Sequence, residues 1–136
     1  MTEFKAPRAK IIGAMIGFFG EDVGRIEHAL RVLYHAERTM ERHDAYDLDI
    51  VLATAILHDV GIKIAEEKHG SQDAEKQELY GPPTAQELLS SIDFPASKIE
   101  KVKEIIGNHH SPSKYDYVEL EILKEADRIV NQVERV

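Results

Sequence analysis

Apolar positions recur at helical spacing along most of the chain, and no stretch shows the sustained apolar/polar alternation of a half-buried strand. A first helix is expected from about Pro7 to Phe19, with Pro7 at a permitted early position and Gly20 ending it. Asp22 caps a second, running to about Arg42, whose stripe is Ile26, Ala29, Leu30, Leu33, Ala36 and Met40. From Asp47 or Leu48 to His58 the sequence LDIVLATAILH is apolar nearly all the way round, which marks a central helix packed on several sides. Lys63 to Tyr80 is polar and irregular and reads as a loop, with one short exposed helix as the alternative. Gly81-Pro82-Pro83 then opens a helix through Ile92, Pro95 opens another carrying Ile99, Val102 and Ile106, and Tyr117 to Val133 is the last. The expected fold is all-α: a compact single-domain bundle of about six helices over residues 1–136.

Composition narrows the function classes. There is no Cys, so neither a disulfide framework nor a thiolate metal site is available, and any metal must use His and carboxylates. A net charge of -8 repels phosphate backbones, which argues against duplex nucleic acid as a partner. The run Ile11 to Phe19 behind Lys5, Arg8 and Lys10 superficially resembles a secretory signal. Gly20-Glu21-Asp22 follows where a small-residue cleavage site should lie, so the run reads as a core helix, too short to span a bilayer. A cytoplasmic protein without membrane association is expected, and a homodimer is left open.

Two His-Asp dipeptides occur. His43-Asp44 lies in the polar stretch ERHDAYD, where solvated side chains need no partner. His58-Asp59 ends the apolar run ATAIL, where an ionised carboxylate is costly unless paired or metal-bound, and Gly61 is expected to supply the helix end that lets both residues reach one ion. By itself the pair reads as readily as a satisfied buried pair as it does as ligands. Asp127 has Leu120 and Leu123 behind it and Val130 ahead at helical spacing, which puts a carboxylate on an apolar face in need of a cation. Val118, Ile122, Ala126 and Ile129 define a competing apolar face. His28, Arg31 and His35 share a polar face of the second helix with Val32 beside them, and taken alone His28 reads as a solvated or core-edge histidine.

Together, Arg25-Ile-Glu-His28-Ala-Leu-Arg31, Ala55-Ile-Leu-His58-Asp59-Val-Gly61 and Leu123-Lys-Glu-Ala-Asp127-Arg-Ile resemble the three signature segments, H…HD…D, of the HD superfamily of metal-dependent phosphohydrolases. The resemblance covers roughly residues 25–130 and implies a helical fold in which His28, His58, Asp59 and Asp127 converge on one divalent ion: Mn, Fe, Co, Ni, Zn or Mg. The implied reaction is hydrolysis of a phosphomonoester or phosphodiester of a small molecule, a nucleotide among the candidates, by metal-activated water. Asp59 then has a catalytic role, and Arg31 and Lys63 are candidate phosphate contacts. His109-His110 resembles the paired histidine of two-metal members such as the HD-GYP phosphodiesterases, where a further His opening the preceding helix completes a second metal site.

The departures shape the expectation. The missing third histidine corresponds to Gly81, and no GYP motif follows His110, so a single ion is expected, with a second metal disfavoured. His69 and Glu78 are the replacements to consider. The pair His109 and His110 is then left to protonate the leaving oxygen or orient phosphate. HDVGIK stands in place of the HDxxED of guanosine tetraphosphate hydrolases, and Ile62 intervenes before Lys63 where many relatives read HD-x-G-K. The chain looks most like small single-domain prokaryotic HD proteins. The competing class is a regulatory module that keeps the metal and binds a phosphorylated ligand without turnover.

Overall fold

The computed structural model describes residues 7–134, and residues 1–6 and 135–136 lie outside the described residues. Among the described residues seven helices follow one another: α1 (Arg8–Phe19), α2 (Val23–Met40), α3 (Leu48–Leu57), α4 (Val60–His69), α5 (Ala74–Ser91), α6 (Ala96–Ile106) and α7 (Val118–Glu134). Among the described residues there is no strand, and no helix is long and apolar enough to cross a membrane.

The all-α expectation holds, and the local signals behind it work as physics predicts. Gly20 leaves α1 at φ 63, a left-handed value that disfavours any side chain, and its N–H caps Ile16 O. Asp22 and Asp47 accept from the N–H groups of Arg25 and Ile50 at the starts of α2 and α3. Every residue of α3 from Ile50 to Leu57 is buried, because α1, α2, α6 and α7 pack round it.

Four expectations are corrected. The segment from Lys63 to Tyr80 is not a loop: it holds most of α4 and the first part of α5, which raises the count from about six helices to seven. Its polarity hid this because α5 buries only Gln77, Gly81, Ala85 and Leu89, a narrow stripe at intervals of four that begins with an amide and a glycine. Accordingly Pro82 and Pro83 lie inside α5 rather than opening it. They remove two backbone donors, a loss offset where the stripe packs on α4 and α6.

Gly61 does not end the central helix. The chain turns at His58 and Asp59 (φ -104, ψ 8), and Gly61 sits in the first turn of α4, where a Cβ would lie 2.5 Å from Gln77 O and 2.7 Å from Gly81 N. Glycine is required there by close backbone approach between α4 and α5, which fixes where α4 begins. Finally, the buried stripe of α2 is Ala29, Val32, Leu33, Ala36 and Thr39, rotated from the expected one; Leu30 is 37% exposed. That rotation turns His28 toward α7.

Candidate metal centre

Four elements bring their polar ends to one place. His28 comes from α2, His58 and Asp59 from the α3–α4 corner, Asp127 from α7, and His109 and His110 from the turn after α6. His28 Nε2 lies 3.3 Å from both Asp59 Oδ2 and Asp127 Oδ1. His58 Nε2 lies 3.3 Å and 3.5 Å from the same two oxygens, and His109 Nε2 lies 3.7 Å from the other Asp59 oxygen. Asp59 therefore stands between two groups with the spacing of metal ligands, His28 with His58 and Asp127, and Asp59 itself with His109 and His110. Within each group the ligand atoms all lie within 4.8 Å of one another.

The orientation of the imidazoles decides what these atoms can do. His58 Nδ1–H donates to Ala55 O (2.8 Å) and His109 Nδ1–H to Ile106 O (2.6 Å), each to the carbonyl three residues back at a helix end. His28 Nδ1–H donates to Glu134 Oε1 (3.0 Å), and Arg31 holds the other oxygen of that carboxylate at 2.9 Å. In all three rings Nε2 is thereby left as the lone pair facing carboxylate oxygens. The buried Nε2 atoms of His58 and His109 have no aligned hydrogen-bond partner despite these short separations. A lone pair against a carboxylate repels unless a proton or a cation lies between them. Two imidazoles and two carboxylates would balance a divalent ion, so the donor set fits one.

Without a cation, protons take its place. Burial opposes charge on His58, but the field of Asp59 and contact with Asp127 outweigh it and hold the imidazole well above its ordinary range; His28 is raised for the same reasons, led by Asp127. Burial likewise opposes ionisation of Asp59 and Asp127, and the surrounding histidines overcome it and hold both carboxyls far below the usual range. His110 moves the other way, lowered by burial and by the neighbouring His109.

The other anticipated residues have definite places. Lys63 Nζ donates to Phe18 O (2.6 Å) at the end of α1 and lies over the Phe18 ring, so the fold does not bring it to the cluster. Arg31 reaches the cluster only through Glu134. His69 pairs with Tyr80 (2.7 Å) and takes no part. His35 makes its ring contact with Tyr34, and Asp44 of the other His-Asp dipeptide is exposed.

Glu78 spends both oxygens on His110 N (2.9 Å) and Ser111 Oγ (2.7 Å), which ties the histidine turn to α5. The residue of α5 that faces His110 is Gln77, whose Oε1 lies 2.6 Å from His110 Nε2. Gly81, one turn on, is packed instead against Gly61 and Ile106. Above the cluster opens a cleft of about 490 Å³, lined also by Arg25, Asn131 and Glu134. Asn131 and Glu134 follow Asp127 by four and seven residues, a helical signal present in the sequence and overlooked; nothing local marked Gln77 or Arg25.

A family model described as HD domain matches residues 25–132, and the chain belongs to that family, made up mostly of metal-dependent hydrolases. The matched span contains all four residues of the H…HD…D pattern. Comparison with curated proteins and with solved structures gives no match.

Proposed function

We propose that the protein is a metal-dependent phosphohydrolase that cleaves a phosphomonoester or phosphodiester of a small molecule, with one divalent ion held by His28, His58, Asp59 and Asp127. The observation that carries this reading is the common orientation of the imidazoles: each commits Nδ1–H elsewhere and turns an unshared Nε2 toward the carboxylates. When bound, the ion supplies an activated water and compensates charge on a phosphoryl oxygen.

The chain's own groups do the rest. Asp59 joins the ligand group to His109 and so fixes the spacing between the two halves of the cluster. Burial and the neighbouring His109 lower the His110 imidazole and so favour its neutral form. With Nε2–H donated to Gln77 Oε1, its free lone pair is at Nδ1, which suits it to accept a proton during hydrolysis rather than to protonate the leaving oxygen. Glu78 holds the backbone of that turn in place.

The test is to purify the protein without a His tag, measure bound metal, and screen phosphoesters and nucleotides beside a His58→Ala, Asp59→Ala double variant. Stoichiometric metal and a turnover lost in the variant are expected. Absence of metal would remove the site, and metal without variant-sensitive turnover would favour a phosphate-sensing regulatory module.

A further inference from the structure

His110, Asp127 and Asn131 line two spaces at once: the cleft over the cluster and a second hollow of about 460 Å³ beside it. The two differ in charge. Beyond the ligands the first cleft presents Asp22, Glu66 and Glu134 against one permanent cation, Arg25, which is itself 3.8 Å from Glu66. The second hollow presents Lys124 and Arg128, and Asp127 is its only carboxylate among the described residues.

Among the described residues neither cation there forms an ion pair with a carboxylate. Lys124 Nζ donates to Ser111 O (2.6 Å) and Ser113 Oγ (2.8 Å), both neutral oxygens. Arg128 is exposed and has no hydrogen bond or ion pair among the described residues. The acids one and two turns back on its own helix are engaged, Glu125 by Arg42 and Glu121 by Ser113. In a chain of net charge -8, an anionic ligand is repelled at a distance, so two cations without a direct carboxylate partner among the described residues, beside the ligand cluster, create a local exception.

We propose that this hollow is a second anion subsite, and that the substrate is a small molecule carrying a further phosphate beside the one that is hydrolysed. The inference rests on the phosphohydrolase reading and narrows its substrate class. Arg128 offers a planar fork matched to phosphate oxygens, and Lys124 a point charge held by the serine turn. The acidic half of the cleft then receives the uncharged, hydroxyl-bearing part of the molecule.

Titration calorimetry of the metal-saturated protein, with inorganic phosphate and with inorganic pyrophosphate at matched free metal, tests this in the wild type and in Arg128→Gln. Chelation by pyrophosphate is common to both proteins and cancels when they are compared. The expected result is a roughly tenfold loss of pyrophosphate affinity in the variant, with phosphate affinity within about twofold and an unchanged melting temperature, since the exposed side chain makes no hydrogen bond or ion pair among the described residues. Lys124→Gln should act in the same direction.

Equal weakening of both anions, an unchanged pyrophosphate affinity, or a wild type that binds phosphate as tightly as pyrophosphate would overturn the subsite and leave the hydrolase reading standing. A wild type that takes up metal but neither anion would remove both.

Discussion

His58 and His109 are held one way and His28 another. The first two are buried, and each ring is fixed by a backbone carbonyl at the end of its own helix, so their positions follow from the packing of α3 and α6. His28 and Asp127 lie on the more open side, and the His28 ring is fixed by Glu134, a side chain near the end of α7, which is in turn held by Arg31. One half of the cluster is thus set by the fold, and the other by a chain of side chains that can let go. Asp59 joins them, with one oxygen shared by His28 and His58 and the other toward His109.

The largest effect should come from breaking that joint. Asp59→Asn removes the shared charge and should lower metal affinity by more than about a thousandfold, read as metal retained after dialysis. Stoichiometric retention would mean that His28, His58 and Asp127 suffice and that the halves are independent.

Next is the scaffold of the rigid half. Gly61→Ala drives a Cβ into the backbone of α5 and should cost about 3 kcal/mol in urea unfolding, whereas Gly81→Ala meets a side-chain methyl, Cγ2 of the buried Ile106, and should cost less, about 2 kcal/mol. Equal costs would contradict a backbone-limited contact between α4 and α5.

On the adjustable half, Glu134→Gln should weaken metal binding by about ten- to a hundredfold and Arg31→Gln by only about threefold, as measured dissociation constants. No change in either would show that the His28 ring needs no side-chain support.

The smallest effect concerns pH and distinguishes protons from metal. His28 and His58 are raised above their unfolded value of about 6.5, so in chelator their contribution to stability is complete below that pH and is lost as pH rises through the folded values. Asp59 and Asp127 are lowered, so theirs is present above about pH 3.9 and is lost on acidification through the folded values. The melting temperature of chelated protein should therefore fall by a few degrees from pH 6.5 upward. With metal it should rise over the same window, because binding displaces the imidazole protons. Parallel curves would place the cation away from these rings.

Much of the fold was legible because its signals are local. The cap at Asp22, the stop at Gly20 and the all-round apolar α3 each act within a few residues of chain. What escaped was α4 and α5, where burial falls on Gln77, Gly61 and Gly81, residues without hydrophobic character. The site divides similarly. Asp59 and Asp127 announce themselves as carboxylates among apolar neighbours, whereas His28 looks solvated until the stripe of α2 is seen to be rotated against α7.

By itself, then, the sequence determined that this is an all-helical chain with a costly buried His-Asp pair at the end of its most apolar helix, and an ordered H…HD…D pattern. Only the tertiary structure decided that Asp59 stands between two groups with the spacing of metal ligands, that Gln77 rather than Gly81 faces His110, and that Lys63 is turned away to the end of α1. The reason is physical. Caps and helical stripes are set by residues three or four apart, but a ligand cluster is set by where separate helices cross, and those crossings depend on glycine contacts and rotations that carry no signature in hydrophobicity.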